Sequence, residues 1–323
     1  MDRRKLAIGF VLYGESTTKY LGDFLPSLIA SAANCGLDTV IMAFDNGPEN
    51  FTASRDFLRD YDQVVLLGSG RNLGFAGANN QLIAAASEAG ANYFLTINPD
   101  TLLEVDSLKE LLRPMENNIS LAAVSPKLRR WDFATKIKTG LLDTCGIVVG
   151  TGLQFHDLGQ GEVDRGQYDE AAIAGPSGAA ALYRISALAR VKDEHGYFDE
   201  RFFMYKEDCD LTYRLRLLNL PSALAPLSII YHDRSAATDK FNLLTRFKGV
   251  LTKKPQILAW SYYGDWLMIF KHWSGLALTD KLAVSWYRFL SLAYALVFNR
   301  ELFTEIKRAK RSSVSSRPAG EIA

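Results

Sequence analysis

Tyr93-Phe94-Leu95-Thr96-Ile97-Asn98-Pro99-Asp100 is a run of strand-forming residues that stops abruptly at a polar triplet. Five apolar, β-branched and aromatic residues closed by Asn-Pro predict a buried strand and a tight turn. A carboxylate at the end of such a strand, on the open edge of an α/β sheet, is placed to hold a divalent metal against a phosphate. The same residues also suit an ordinary turn or a helix cap, so the triplet takes its meaning from its surroundings. Downstream, Phe202-Phe203-Met204-Tyr205-Lys206-Glu207-Asp208 ends in two carboxylates, and His232 directly follows the apolar residues 227–231.

Upstream, residues 6–13, 39–44 and 63–67 have the same strand character, while 20–35, 52–60, 76–89 and 107–117 carry apolar residues at helical spacing. This alternation predicts an α/β fold: a mostly parallel sheet covered on both faces, with ligands beyond the carboxyl ends of the strands. Asp45-Asn46, Arg71-Asn72 and Asn98-Pro99-Asp100 each follow one of these strands, so they are expected to converge on one crevice. Residues 126–170 are rich in Gly and Asp and predict loops with short antiparallel strands, followed by a strand at 179–183 and a helix at 186–192. A helix at 207–218 has Leu211, Leu215 and Leu218 on one face, and Asp208 lies three residues before Leu211 on that inward side. Its carboxylate there is either a cap stabilised by the helix dipole or a reactive group facing a cleft.

Gly68-Ser69-Gly70-Arg71-Asn72-Leu73-Gly74 lies between a strand and a helix, as a dinucleotide-binding loop does. Its spacing is GxGxxxG, it follows the third strand, and no strand ending in Asp or Glu comes about 20 residues later, so NAD is not expected. The helix at 76–89 is still expected to offer its N-terminus to a phosphate, with Arg71 as a fixed positive fork for a nucleotide.

The chain has 323 residues, enough for one large α/β domain with an appendage, and its net charge of +1 conceals a strong asymmetry. Residues 240–311 carry 13 Lys/Arg against 4 Asp/Glu, while residues 1–239 carry 23 against 31. Trp260, Trp266, Trp273 and Trp286 also fall in the basic region. Basic residues interleaved with aromatics at helical spacing suit an anionic membrane surface, a face packed on the preceding α/β domain, or a homodimer interface. Nucleic acid is not expected as a partner, because no helix-turn-helix or RNA-binding pattern accompanies the charge. Cys35, Cys145 and Cys209 are too few and too scattered for a disulfide framework or a zinc site. The start, Met1-Asp2-Arg3-Arg4-Lys5, lacks the apolar stretch of a secretory signal. The longest apolar stretch, 282–298, contains Arg288 and is shorter than the ~20 residues of a membrane span. A cytoplasmic protein is expected, peripheral on the inner face of the cytoplasmic membrane if the basic region seats there. Residues 312–323 have the composition of a disordered tail.

Seven blocks occur in order across residues 5–235. They are Phe44-Asp45-Asn46-Gly47, Arg71-Asn72-Leu73-Gly74-Phe75-Ala76-Gly77-Ala78-Asn79-Asn80, Ile97-Asn98-Pro99-Asp100, Gly175-Pro176-Ser177-Gly178-Ala179, Phe198-Asp199-Glu200-Arg201-Phe202-Phe203, Tyr205-Lys206-Glu207-Asp208-Cys209-Asp210-Leu211, and His232. Together they resemble glycosyltransferase family 2, and within it most closely the bacterial rhamnosyltransferase-like branch. The resemblance implies the GT-A nucleotide-diphospho-sugar transferase fold over residues 1–239. Its nucleotide-binding half is about 1–120 and its acceptor-binding half about 121–239, with a helical C-terminal extension at 240–311.

The resemblance also implies roles. Asp45 would bind the nucleotide base with Arg71 beside it, and Tyr13, Asn46, Asn72 and Gly74 belong to the same donor pocket. Asn98 and Asp100 stand where the family has Asp-x-Asp, Asn98 near the ribose and Asp100 on Mg2+ or Mn2+. His232 matches a further metal or diphosphate contact, and Gly178 and Ala179 line the sugar site. Asp208 matches the catalytic base, with Glu207 orienting it or the acceptor.

The chemistry implied is inverting, metal-dependent transfer from a nucleotide sugar, in which a single direct displacement needs one base rather than two flanking carboxylates. The donor expected first is dTDP-L-rhamnose, then a UDP-sugar carrying galactofuranose, a hexose or an N-acetylhexosamine. The acceptor expected is a growing bacterial surface polysaccharide or lipid-linked glycan. Three departures stand out: Asn98 replaces the first Asp of Asp-x-Asp, Gly14 follows Tyr13 where many relatives have Asn, and Asp265-Trp266 stands where relatives often carry Arg-Asn. A sugar-nucleotide pyrophosphorylase would need a basic glycine-rich loop near the first strand, and Gly14-Glu15-Ser16-Thr17 lacks the charge. A non-catalytic subunit of a glycan-assembly complex is disfavoured by the presence of Asp100, Asp208 and His232 together.

Overall fold

A computed structural model describes residues 4–47, 52–234 and 255–314. Four strands form the first part of the sheet: β1 (Lys5–Leu12), β2 (Asp38–Asp45), β3 (Val64–Gly68) and β4 (Tyr93–Ile97). They lie in the order β3-β2-β1-β4 and are all parallel. Between them run α1 (Gly14–Thr18), α2 (Leu21–Ala33), α3 (Ala53–Leu58) and α4 (Gly74–Glu88). The alternation of strand side chains divides the core in two. Leu6, Ile8, Phe10 and Leu12 of β1 pack with Leu21, Phe24, Leu25 and Leu28 of α2, which recur at i, i+3, i+4 and i+7. Ala7 points the other way, into a second cluster with Ala76, Leu82 and Ile83 of α4.

The chain continues through β5 (Thr101–Leu103), α5 (Ser107–Asn117), β6 (Ala123–Asp132), β7 (Ile137–Thr144), β8 (Ile147–Gly150), β9 (Gln154–Asp157), β10 (Ala180–Arg184), α6 (Ile185–Val191), α7 (Glu207–Leu217) and β11 (Ser222–His232). Beyond β4 the sheet runs β10-β6-β11-β5, with β7 on β6, and it becomes mixed. The parallel arrangement expected from the first half thus holds for four strands. β10 arrives late and inserts between β4 and β6, antiparallel to both. Residues 126–170 form hairpins as expected, β6 with β7 and β8 with β9. Two-residue or short returns give antiparallel neighbours, whereas parallel ones need a long crossover.

The C-terminal region comprises α8 (Pro255–His272), α9 (Leu278–Phe298) and α10 (Leu302–Ser312). Tyr263, Trp266 and Leu267 of α8, Ala295 of α9, and Leu302 and Ala309 of α10 share a buried cluster with Phe202, which precedes α7. The helical expectation for 240–254 and the disordered tail at 315–323 lie outside the described residues; Ser312 belongs to α10.

Candidate active site

β4 ends at Ile97, and the chain turns over Asn98-Pro99-Asp100 into β5, where Thr101 pairs with His232 at the end of β11. That register brings Asp100 to His232: Asp100 Oδ1 lies 3.3 Å from His232 Nε2. The turn is braced by bonds from the Asp233 amide (2.9 Å) and the Trp131 indole (3.1 Å) to the Asp100 carbonyl. Asp100 Oδ1 is buried and makes no well-directed hydrogen bond of its own.

His232 is held from behind by Asp143, Nδ1 to Oδ2 at 2.8 Å. Arg234 then bridges Asp143 at 3.1 Å and Asp157 at 2.8 Å. Burial opposes a charged imidazole, but the carboxylates of Asp100 and Asp143 outweigh it and push His232 up to about 10. Burial works against the Asp143 carboxylate as well, yet His232 and Arg234 hold it down at about 2. Asp143, Asp157 and Arg234 were not singled out in the sequence. They sit in the irregular Gly/Asp-rich stretch or just past β11, and nothing in their spacing marks them; only the approach of β7 and β9 to β11 does.

Asp208 occupies the first turn of α7, half-buried. The Gly178 amide donates to its Oδ2 at 2.9 Å and the Cys209 amide to its Oδ1 at 2.7 Å. The neighbouring Ala179 carbonyl accepts from the Asn98 amide at 2.9 Å. Phe203, Tyr205 and Lys206, just before α7, all have positive φ, a concentration of backbone strain next to the two carboxylates. Glu207 is 6% exposed, and its Oε2 has no hydrogen-bond partner. Burial, reinforced by the charge of Asp208, pushes its carboxyl up to about 8, so it is neutral at pH 7.

At the carboxyl edge of the parallel strands a cavity is lined by Tyr13, Asn46, Asn72, Asn98, Asp100 and Met204, among others. Five of the residues expected in the donor site therefore converge. Asp45 does not line this cavity; its carboxylate is paired with Arg55 and accepts from the Gly47 amide at 3.0 Å. Arg71 is exposed on the loop between β3 and α4, also off the lining. Asn46 braces that loop, donating to Asn72 Oδ1 (2.9 Å) and the Gly74 carbonyl (3.1 Å) and accepting from the Leu73 amide (2.6 Å).

The expectation that α4 offers its N-terminus to a phosphate is corrected here. The Phe75 and Ala76 amides donate to the Phe203 carbonyl at 2.7 and 3.4 Å, and the Gly74 amide to Asn72 Oδ1 at 2.8 Å. These first-turn donors are thus already taken. Gly74 permits this, because a Cβ at its φ of +71° would fall 2.4 Å from the Phe203 carbonyl oxygen.

The family described as glycosyl transferase family 2 matches residues 8–191, more than half of the chain. The chain belongs to that family. It is a glycosyltransferase with the GT-A fold and a helical C-terminal region. Among curated relatives, the N-acetylglucosaminyl-diphospho-decaprenol L-rhamnosyltransferase of Mycobacterium tuberculosis, found in two strains, is 29% identical over 248 residues, 68% of this chain and 74% of the relative. The chain is thus rhamnosyltransferase-like. Among solved structures, the mannosyltransferase PcManGT of Pyrobaculum calidifontis in complex with GDP-Man and Mn2+ superposes with a TM-score of 0.52 at 12% identity, covering 100% of this chain and 79% of that one. At that identity the likeness is one of fold. The family match ends before α7 and β11, so Asp208 and His232 of this glycosyltransferase rest on their geometry.

Proposed function

We propose that the chain is an inverting, metal-assisted glycosyltransferase that moves L-rhamnose from dTDP-L-rhamnose to a growing bacterial surface polysaccharide or lipid-linked glycan, at the cytoplasmic face of the membrane. The observation that carries the mechanism is the double attachment of Gly178-Ala179. The Gly178 amide holds the Asp208 carboxylate, and the Ala179 carbonyl holds the Asn98 amide, two residues from Asp100. One strand end thereby fixes the base relative to the diphosphate end of the site.

Asp208 accepts the acceptor hydroxyl's proton as that oxygen attacks the anomeric carbon. The new C–O bond forms as the bond to the nucleoside diphosphate breaks on the opposite face, which inverts the centre. Glu207, neutral at pH 7, offers a proton rather than a charge, and this suits it to orienting the acceptor or Asp208. Asn98 takes the ribose, a role its position on the cavity wall with Tyr13 and Asn72 supports. Gly178 and Ala179 line the sugar position, and Asp45 at the end of β2 and Arg71 on the loop after β3 are the residues proposed for the base.

Asp100 fits a divalent ion, and His232, protonated between its two carboxylates, would ligate that ion on giving up its Nε2 proton or would donate that proton to the diphosphate. Asp100 contributes a buried oxygen that lacks a hydrogen bond, and Asp143 fixes the far nitrogen of His232, as carboxylates behind metal-binding imidazoles do. Among the described residues no three His, Cys, Asp or Glu groups converge to hold a metal alone. When bound, Mg2+ or Mn2+ supplies Lewis-acid stabilisation of the leaving diphosphate. The rhamnosyl donor and a lipid-linked acceptor draw support from the name of the mycobacterial relative.

Thermal shifts with dTDP, UDP, GDP and CMP, each with and without Mn2+, test the donor site. A ligand at ~100-fold excess over its dissociation constant adds about 2.7 kcal/mol. Metal-dependent stabilisation by dTDP above UDP, absent in Asp100→Ala, is the expected result; a preference for UDP changes the sugar, and no response sinks the reading. Asp208→Asn is expected to keep the dTDP response and lose transfer by about 100-fold or more. Turnover retained in that variant removes Asp208 as the base.

A further inference from the structure

α9 has two unlike faces. The inner one is fixed to α8: Val284, Ser291 and Ala295 are buried, the Tyr262 hydroxyl donates to the Ser291 carbonyl at 2.8 Å, and the Arg288 guanidinium lies over the Trp266 and Trp273 rings. The outer face carries Leu278, Leu282, Trp286, Phe289, Leu296 and Val297, each between 57% and 73% exposed. At 3.6 residues per turn these six fall within an arc of about 100°, along a helix roughly 30 Å long. Asp280, Lys281 and Arg288 all lie off that arc. A continuous apolar stripe of this size marks a surface that something covers.

We propose that α9 seats the protein on an anionic lipid bilayer, lying in the plane of the interface with Trp286 and Phe289 among the acyl chains. This deepens the acceptor half of the reading above and rests on it for its purpose, though not for its test.

Charge decides between a bilayer and a second copy. The described residues 255–311 carry 8 Lys/Arg against 4 Asp/Glu, and the exposed cations Arg300, Lys307, Lys310 and Arg311 come after α9 in the chain. Two copies meeting through α9 would bring two such regions together, whereas an anionic leaflet attracts them, with about fivefold in affinity per cation near its surface. Seating differs from spanning: among the described residues no helix is long and apolar enough to cross a membrane.

The bilayer would also lie beside the site. Asp280 Oδ1, in the first turn of α9, accepts from the Gly152 amide at 2.8 Å in the turn between β8 and β9. Asp157 of β9 is linked through Arg234 and Asp143 to His232. An acceptor carried by a lipid in that leaflet arrives next to the hairpin that leads to the metal-site residues.

The test is flotation of the full chain, without nucleotide, on vesicles of phosphatidylcholine alone or with roughly one-third phosphatidylglycerol. Omitting nucleotide separates failure here from failure of the donor reading. Recovery with the anionic vesicles that weakens as salt rises is expected, together with quenching of Trp286 by lipids brominated in the acyl chains. Trp286→Ser combined with Phe289→Ser, at an unchanged Tm, should lower binding about tenfold or more. Arg300→Gln with Lys307→Gln and Lys310→Gln should lower it about fivefold per charge and leave the apolar face intact. The proposal is overturned if the wild-type chain stays in the aqueous fraction, or if the first variant floats as well as wild type. It is equally overturned if light scattering finds a wild-type dimer that the first variant dissociates.

Discussion

Glu207 and Asp208 are adjacent carboxylates in opposite situations. Asp208 takes two backbone hydrogen bonds, whereas Glu207 has an unpartnered oxygen in the interior. The folded carboxyl of Glu207 binds its proton more tightly than in the unfolded chain. Stability therefore falls as pH rises from the unfolded value near 4.3 through about 8, and the penalty at pH 7 is on the order of 3 kcal/mol. Glu207→Gln should remove that slope, so that Tm is higher than wild type at pH 7 and equal to it near pH 4. Parallel Tm profiles across that range would show that Glu207 is not a buried, neutral acid. At the proposed metal site, Asp143→Asn should weaken the affinity for Mn2+, read from the metal titration of transfer, by about 10–100-fold with the nucleotide site unchanged. An unaltered Mn2+ titration would remove Asp143 from that role.

Among the elements, α8 is bound to the loop and helix that present the two carboxylates. Lys271 reaches Asp199 at 2.6 Å and Asp210 at 2.9 Å, and His272 reaches Asp210 at 2.8 Å. Lys206 pairs with Asp265 at 3.1 Å, and the Phe203 and Trp260 rings stack. Burial alone would raise Asp210, but Arg214, Lys271 and His272 hold it well below the usual carboxylate range. Its contribution to stability is present above the unfolded carboxylate pKa and is lost as pH falls toward the folded value. Asp210 keeps Arg214 and His272 when Lys271 is removed, so Lys271→Met is expected to cost about 3 kcal/mol, at the low end for a broken buried pair. Urea unfolding at pH 7 checks this: a variant as stable as wild type would contradict it.

Over the whole molecule the same contacts argue that the chain unfolds as one cooperative body. A chain cut after residue 239 would expose Phe202 and leave Asp199 and Asp210 without Lys271, two mechanisms that each destabilise strongly. The expected outcome is a poorly soluble product without near-ultraviolet circular dichroism. A cut chain with a sharp thermal transition at the full-length Tm would mean that residues 1–239 are an independent domain.

The parallel half of the sheet was legible because β1 to β4 and the helices between them obey local rules, apolar periods of two and 3.6 residues punctuated by turn formers. Asn98-Pro99-Asp100 was legible for the same reason: a polar triplet closing a buried strand needs no distant partner to be noticed. Asp208 stood out through its place one turn before Leu211 on an inward face. The tertiary structure decided what depends on pairing across long separations. The register of β5 with β11 brings Asp100 to His232, and β7 and β9 set Asp143 and Asp157 behind it. Only the fold shows that Phe203 occupies the first amides of α4, that Asp45 is held by Arg55, and that α9 turns its apolar side outward. Local sequence fixes which elements form, because their hydrogen bonds close within a few residues. Which polar groups meet, and which apolar faces stay bare, is settled by packing between segments whose sequences carry no mark of one another.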